Sequence, residues 1–163
     1  MAKRIIVYFF LVLAGLTLLA YVDHIVVDKI YKELIANHAM NWPDFETGPG
    51  GRMWWHIGLD ILSLGLFGLL ALAARQPTVF IGGLVLYHTG LEDLFYYWVQ
   101  GLSLPKVWEW CDLRPLIGYT RYLTRTENVS LPGMLFAVAV GLALYAGTAL
   151  LFRKRGSKKP QQP

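Results

Sequence analysis

The sequence predicts an all-α integral membrane protein, a four-helix bundle with two long extracytoplasmic connections. Hydrophobic residues make up 55% of the 163 residues and charged residues only 16%, which is little charge for a water-soluble domain. The hydrophobic residues gather into four segments that are each long enough to cross a bilayer, which takes about 20 residues. Basic residues flank these segments in an arrangement typical of multi-span proteins.

The four spans are predicted within a membrane domain that covers residues 1–155. The first span follows Lys3 and Arg4. Its apolar core is longer than that of a usual signal peptide, and no small-residue cleavage site follows it, so we interpret it as a retained span. Residues 156–163 are polar, and we expect them to form a disordered cytoplasmic tail. The predicted spans cover about residues 5–27, 53–74, 78–99 and 132–152.

Basic residues determine the expected orientation. They precede the first span, occupy the tight connection at Arg75, and follow the fourth span at positions 153–159. With four spans, all three groups fall on one side of the bilayer, and the positive-inside rule makes that side cytoplasmic. We therefore expect a multi-pass protein of the cell membrane with both termini in the cytoplasm. The cluster 153–159 is interpreted as a flank that stops transfer, although such clusters also bind anionic lipid. No feature indicates binding to nucleic acid.

The two outer connections show helical spacing or a high aromatic content, which simple linkers lack. Residues 28–38 keep helical spacing, so the first helix is expected to extend beyond the membrane or to turn along its surface. The connection 100–131 is long and rich in tryptophan and tyrosine. These aromatic residues form either an interfacial belt or a lid over a site that opens from the outer leaflet. The single cysteine, Cys111, excludes an internal disulfide framework and is interpreted as a packed loop residue.

Ionisable residues interrupt the apolar segments in a repeated pattern. Three of the four histidines are followed, four residues later, by a carboxylate, and each pair lies in or at the end of a different segment. Residues i and i+4 share one face of a helix. Placing such groups in a bilayer is costly, so a functional role is the default hypothesis. The pairs are His24/Asp28, His56/Asp60 and His88/Glu92.

The rise of about 1.5 Å per helical residue places most of these groups at similar depths, in the outer half of the bilayer, with His88 near the middle. Imidazole and carboxylate groups that project inward from several helices are a common metal site of helical bundles. Their nitrogen and oxygen atoms suit a divalent ion such as zinc, iron or manganese. The predicted metal ligands are His24, His56, Asp60, His88 and Glu92.

Glu92 and Asp93 are the predicted catalytic residues, with one or the other acting as a proton acceptor. The resulting hypothesis is a membrane metalloenzyme that acts on a lipid or other apolar small molecule from the outer leaflet. Three other interpretations of the polar residues stay open: hydrogen bonds that only fix the packing, a proton or cation path, and haem ligation by His24 and His56. A non-catalytic subunit of a homo- or hetero-oligomeric membrane complex is an alternative for the whole chain.

The run Leu91-Glu92-Asp93-Leu94-Phe95-Tyr96-Tyr97 resembles the acidic pair followed by aromatic residues in small membrane carotenoid cyclases. The resemblance covers about seven residues. The proline that precedes the pair in that family is absent here, and the histidines are left unexplained. No function is carried over from it.

Overall fold

A computed structural model describes residues 2–36, 51–108, 111 and 115–156. This part of the chain is mostly helical, as predicted. Three helical stretches in it are long and apolar enough to cross a membrane, and by length and composition they indicate a membrane protein. They are Ile5–Val27, Trp55–Ala74 and Leu131–Phe152.

The first helical stretch is longer than one membrane span. Helix α1 covers Ala2–His24 and continues without interruption through a π-helix, Ile25–Tyr31, into the short helix α2, Lys32–Ala36. The π-helix contains Asp28 and widens the turns at the end of the apolar segment. The helical spacing predicted for residues 28–38 is thus confirmed as far as Ala36. Residues 37–50, the rest of the first connection, lie outside the described residues.

The second predicted span is one continuous helix, whereas the third is divided into two helices. Helix α3 is continuous over Gly51–Ala74, and a tight turn at Arg75 (φ 51°) leads into α4, Pro77–His88. Pro77 is the first residue of α4, where the missing N–H has no helical partner to lose. The helix ends at His88, and a new helix, α5, covers Leu91–Gln100. The predicted span 78–99 is therefore two helices, and the four-helix bundle is not confirmed.

The described part of the second connection, residues 101–108, 111 and 115–130, forms a folded unit that we call the cap. It contains strand β1, Val107–Trp108, helix α6, Pro115–Thr124, and strand β2, Val129–Ser130, which leads directly into α7, Leu131–Gly156. The strands pair antiparallel, with Val107 opposite Ser130, and Leu131 N–H donates a 2.9 Å hydrogen bond to the Lys106 carbonyl. Buried side chains of the cap and of the first turn of α7 form a common hydrophobic core. They are Trp108, Cys111, Ile117, Val129 and Met134.

The membrane core lies between α1, α3, α4 and α7. Leu16 and Leu19 of α1 and Leu86 of α4 are fully buried in it. Two adjacent glycines of α4 admit large aromatic rings: Gly82 lies against Tyr145 of α7, and Gly83 lies against Phe67 of α3. Small residues allow this close packing in membrane proteins, where burial from water contributes little to helix association. Of the predicted tail 156–163, Gly156 ends α7 and the rest lies outside the described residues.

Candidate functional site

The break between α4 and α5 positions the most deeply buried carboxyl groups described in the chain. At the end of α4, the Thr89 hydroxyl turns back to donate to the carbonyls of Val85 (2.9 Å) and Leu86 (3.2 Å). Gly90 then adopts a left-handed conformation (φ 89°), and its carbonyl accepts the Leu94 N–H at 3.2 Å, which begins α5. The helix is interrupted here without a proline.

Only glycine fits comfortably at position 90, for two independent reasons. The positive φ is strained for a residue with a Cβ. In addition, a Cβ at this position would collide with the sulfur of Met134 and would lie 3.0 Å from Cδ1 of Ile117. The bend is therefore packed directly against the cap and the first turn of α7.

Glu92 and Asp93 lie in the first turn of α5, immediately after this bend, and are only 1% and 6% exposed. The positive end of a helix dipole stabilises a carboxylate by about 0.3–1 kcal/mol. The penalty for taking an ion out of water is several kcal/mol. The helix start alone therefore does not account for two buried carboxyl groups.

The two carboxyl groups lie on different faces of α5, because adjacent residues of a helix point about 100° apart. Asp93 shares a face with Tyr97 at i+4. Glu92 shares the other face with Tyr96. The site therefore has an Asp93 side, which faces the cap through Tyr97, and a Glu92 side.

A line of aromatic rings crosses this region from α1 to the cap. The His24 ring lies edge-on to Tyr96, with centroids 6.3 Å apart. Tyr96 is 5.5 Å from Tyr97, and Tyr97 is 6.1 Å from the fully buried Trp108 of β1. Helix α5 thus presents its two tyrosines between the histidine at the end of α1 and the indole of the cap.

The start of α3 joins the same region through a hydrogen bond. Trp55 Nε1 donates to Asp23 Oδ1 at 2.6 Å. His56, the next residue, is partly buried. Asp23 and His24 at the end of α1 therefore connect two neighbours, α3 through Trp55 and α5 through Tyr96. Trp55 is not among the predicted site residues, and no local signal in the sequence could have revealed its partner on another helix.

The predicted site residues lie on four helices, α1, α3, α4 and α5. His24 ends α1 beside Tyr96. His56 and Asp60 are partly buried in α3, where the Asp60 carbonyl accepts a 2.8 Å hydrogen bond from Ser63 Oγ. His88 ends α4 with its ring 5.0 Å from that of Tyr87. Glu92, with Asp93, is buried at the start of α5.

Within the described ranges, no three of the His, Cys, Asp and Glu side chains form a group that could hold a metal ion. The predicted histidine–carboxylate cluster has no support from that part of the chain. The zinc, iron or manganese ion stays a prediction, and no chemistry is derived through it.

Comparison of the chain with protein-family models, with curated proteins and with solved structures found no match.

Proposed function

We propose that this chain is an integral membrane enzyme that transfers protons on an apolar small molecule, with Glu92 and Asp93 as the groups that accept and donate the proton. The observation that carries the proposal is the near-complete burial of two adjacent carboxyl groups at a helix break in an apolar segment. Ionisable groups at such depth are retained mainly where they serve a function. A positioned carboxyl group is one of the side chains that transfer a proton to or from a reacting group.

The surroundings of Glu92 favour this chemistry over a purely structural role. Tyr96 lies on the same face of α5, and the His24 ring is next to Tyr96. Carboxyl, phenol and imidazole groups can each act as a general acid or base. Glu92 is therefore proposed to contact the substrate. Asp93, through Tyr97, is proposed to exchange protons on the side of the cap.

We further propose that α4 and α5 together make a fourth crossing of the membrane. Helix α4 has 12 residues and α5 has 10. At about 1.5 Å per residue they are about 18 and 15 Å long, which together match a hydrocarbon core of about 30 Å. Broken helices of this type place polar groups near the bilayer midplane in transport proteins.

The proposed orientation follows from this fourth crossing. The positive-inside rule then places both termini in the cytoplasm of a cell-membrane protein, with the cap on the outer side. Glu92 and Asp93 are thereby proposed to be reached by a substrate from the outer leaflet.

The experiment uses solvent deuterium as the reporter. Purified wild type, Glu92→Gln and Asp93→Asn are placed in vesicles made from the total membrane lipid of the source cells, in deuterium oxide. Mass spectrometry of the extracted apolar molecules then detects deuterium at positions that do not exchange spontaneously, or a new product. The matched control is Glu127→Gln, because Glu127 is exposed in the turn before β2.

We expect deuterium incorporation or product with wild type and Glu127→Gln, its loss in Glu92→Gln, and a reduced rate in Asp93→Asn. Circular dichroism and size-exclusion chromatography establish that each variant is folded. If wild type changes no component of the extract, the enzyme proposal is wrong. Proton flux measured in the same vesicles then tests the conducting alternative, and co-purification of partner proteins tests the subunit alternative.

Metal analysis of the same preparations tests the sequence-based metal prediction. Stoichiometric zinc, iron or manganese that is lost in both His56→Ala and Glu92→Ala would support it. Metal that is equally bound by wild type and both variants would locate the ion away from these residues.

A further inference from the structure

The exposed face of α6 carries large apolar side chains although α6 lies in the connection between two membrane segments. Leu116, Tyr119, Tyr122 and Leu123 are all exposed, Tyr119 by 67% and Leu123 by 61%. At about 100° per residue these four positions occupy one continuous third of the helix surface. No charged side chain lies within that arc.

The opposite face of α6 is already used by the fold. Ile117 and Thr120 are buried, and Thr120 packs so closely on α7 that a Cβ on Gly133 would lie 2.9 Å from its Oγ1. Ile117 reaches Gly90 at the break between α4 and α5. Helix α6 therefore has a fixed position and a fixed rotation, and its apolar arc faces away from the protein.

The contacts of α6 give its depth relative to α7. The apolar stretch of α7 begins at Leu131. Gly133, which contacts Thr120, is about 3 Å further along the helix, and Gly141, which contacts Thr89, is about 15 Å further along. Ile117 contacts Gly90, which is next to Thr89. The end of α6 that begins at Pro115 therefore lies deeper beside the first turns of α7 than the other end of α6. The helix thus lies at the depth at which α7 enters the hydrocarbon core.

The polar groups of α6 are placed as at a membrane interface. The Arg121 guanidinium lies 4.9 Å from the centre of the Tyr122 ring and donates a 3.0 Å hydrogen bond to the Tyr122 hydroxyl. Arg125 follows directly after the helix and is exposed. Arginine and tyrosine both combine an apolar body with a polar end and concentrate at the level of the lipid headgroups.

We propose that α6 is an interfacial helix seated in the membrane leaflet in which α7 begins, with Leu116, Tyr119, Tyr122 and Leu123 in contact with acyl chains. The occupant of its exposed arc is lipid, because the first turns of α7, against which α6 packs, also expose large apolar side chains, Leu135 and Phe136. Arg121 and Arg125 meet the headgroup phosphates. The inference is independent of any proton chemistry at Glu92.

Site-directed spin labelling in lipid vesicles tests the proposal. Single cysteines replace Leu116, Tyr119 and Leu123 in a Cys111→Ala background, and each is labelled with a nitroxide. Phe136→Cys, on the exposed face of α7, is the reference for acyl chains, and Glu127→Cys is the reference for water. Relaxation by molecular oxygen reports contact with lipid, and relaxation by a water-soluble nickel chelate reports contact with water.

We expect strong relaxation by oxygen and loss of relaxation by nickel at positions 116, 119 and 123, as at position 136, and the reverse at position 127. Labels at 119 and 123 that respond to nickel as strongly as position 127 would overturn the proposal. Shielding from both reagents would overturn it in favour of a protein partner. If Cys111→Ala fails to fold, the native Cys111 is retained, because it is fully buried. Mass spectrometry then confirms that only the introduced cysteine is labelled.

Discussion

The indole nitrogen of Trp55 donates a 2.6 Å hydrogen bond to Oδ1 of Asp23 and so joins the start of α3 to the end of α1. Both side chains are partly buried. Hydrogen bonds to charged acceptors contribute about 1.5–3 kcal/mol, more than those between neutral groups. The bond therefore fixes the position of Asp23 and of its neighbour His24, on which the Glu92 side of the proposed site depends.

Replacing Trp55 by phenylalanine is expected to lower the free energy of unfolding by about 1–3 kcal/mol, because the ring is kept and the donor is lost. Trp98→Phe is the matched control, because Trp98 is 69% exposed and its replacement is expected to change stability by less than about 0.5 kcal/mol. Thermal unfolding of both variants in the same detergent measures the difference. Equal shifts in Tm would show that the Trp55–Asp23 bond does not stabilise the fold.

Hydrophobic length is a local property, and the sequence therefore predicted the three long membrane helices well. The apolar stretch Ile5–Val27 lies at its predicted position. The stretches that begin at Trp55 and Leu131 each lie within a few residues of their own predicted positions. The break at Gly90 was not predicted, because the segment 78–99 as a whole has the length and composition of one span and contains no proline near position 90. A single glycine in a helical pattern is a weak signal. Its role becomes visible only when Met134 and Ile117 are packed against it.

The candidate site could be predicted residue by residue but not as an arrangement. The cost of burial singled out Glu92 and Asp93, and both are buried at the start of α5. The helical spacing of His88 and Glu92 does not give them a shared face, because the break at Gly90 places them on different helices. Whether histidines from three segments meet depends on which helices are neighbours, and this is not a local property of sequence. The contacts His24–Tyr96 and Asp23–Trp55 follow from that helix order.

Gly90→Ala is expected to destabilise the protein by several kcal/mol, through left-handed strain of about 1–2 kcal/mol and through overpacking, which costs about 1–3 kcal/mol. Gly101→Ala isolates the first contribution. Gly101 also has a positive φ of 66°, but a Cβ there would meet no atom within 4 Å. Chemical unfolding followed by circular dichroism compares the two. A Gly101→Ala variant as unstable as Gly90→Ala would contradict the proposed close packing at the break.

Gly141→Ala is expected to loosen the contact between α7 and α4, because a Cβ at this position would collide with the Thr89 hydroxyl and would lie 2.9 Å from Thr89 Cβ. The expected loss is about 1–3 kcal/mol. Gly147→Ala in the same helix has open space around it, and alanine is the better helix former by about 1 kcal/mol, so it is expected to be neutral or stabilising. Opposite signs of the two Tm shifts would confirm the contact. Shifts of the same sign and size would contradict it.

Ile117→Ala is expected to destabilise the cap by about 2–5 kcal/mol, because the Ile117 side chain of α6 is fully buried against α7 and Gly90. Leu116→Ala removes an aliphatic side chain of similar size from the adjacent position, but on the exposed face, and is expected to cost less than about 0.5 kcal/mol in detergent. Limited proteolysis of residues 100–130 measures cap opening directly, and Ile117→Ala should be cleaved faster than Leu116→Ala. Because the two positions share a helix and nearly the same chemistry, only the direction of each side chain can produce this difference. Equal cleavage would mean that α6 is not fixed against α7, and the depth inferred for its apolar arc would then have no support.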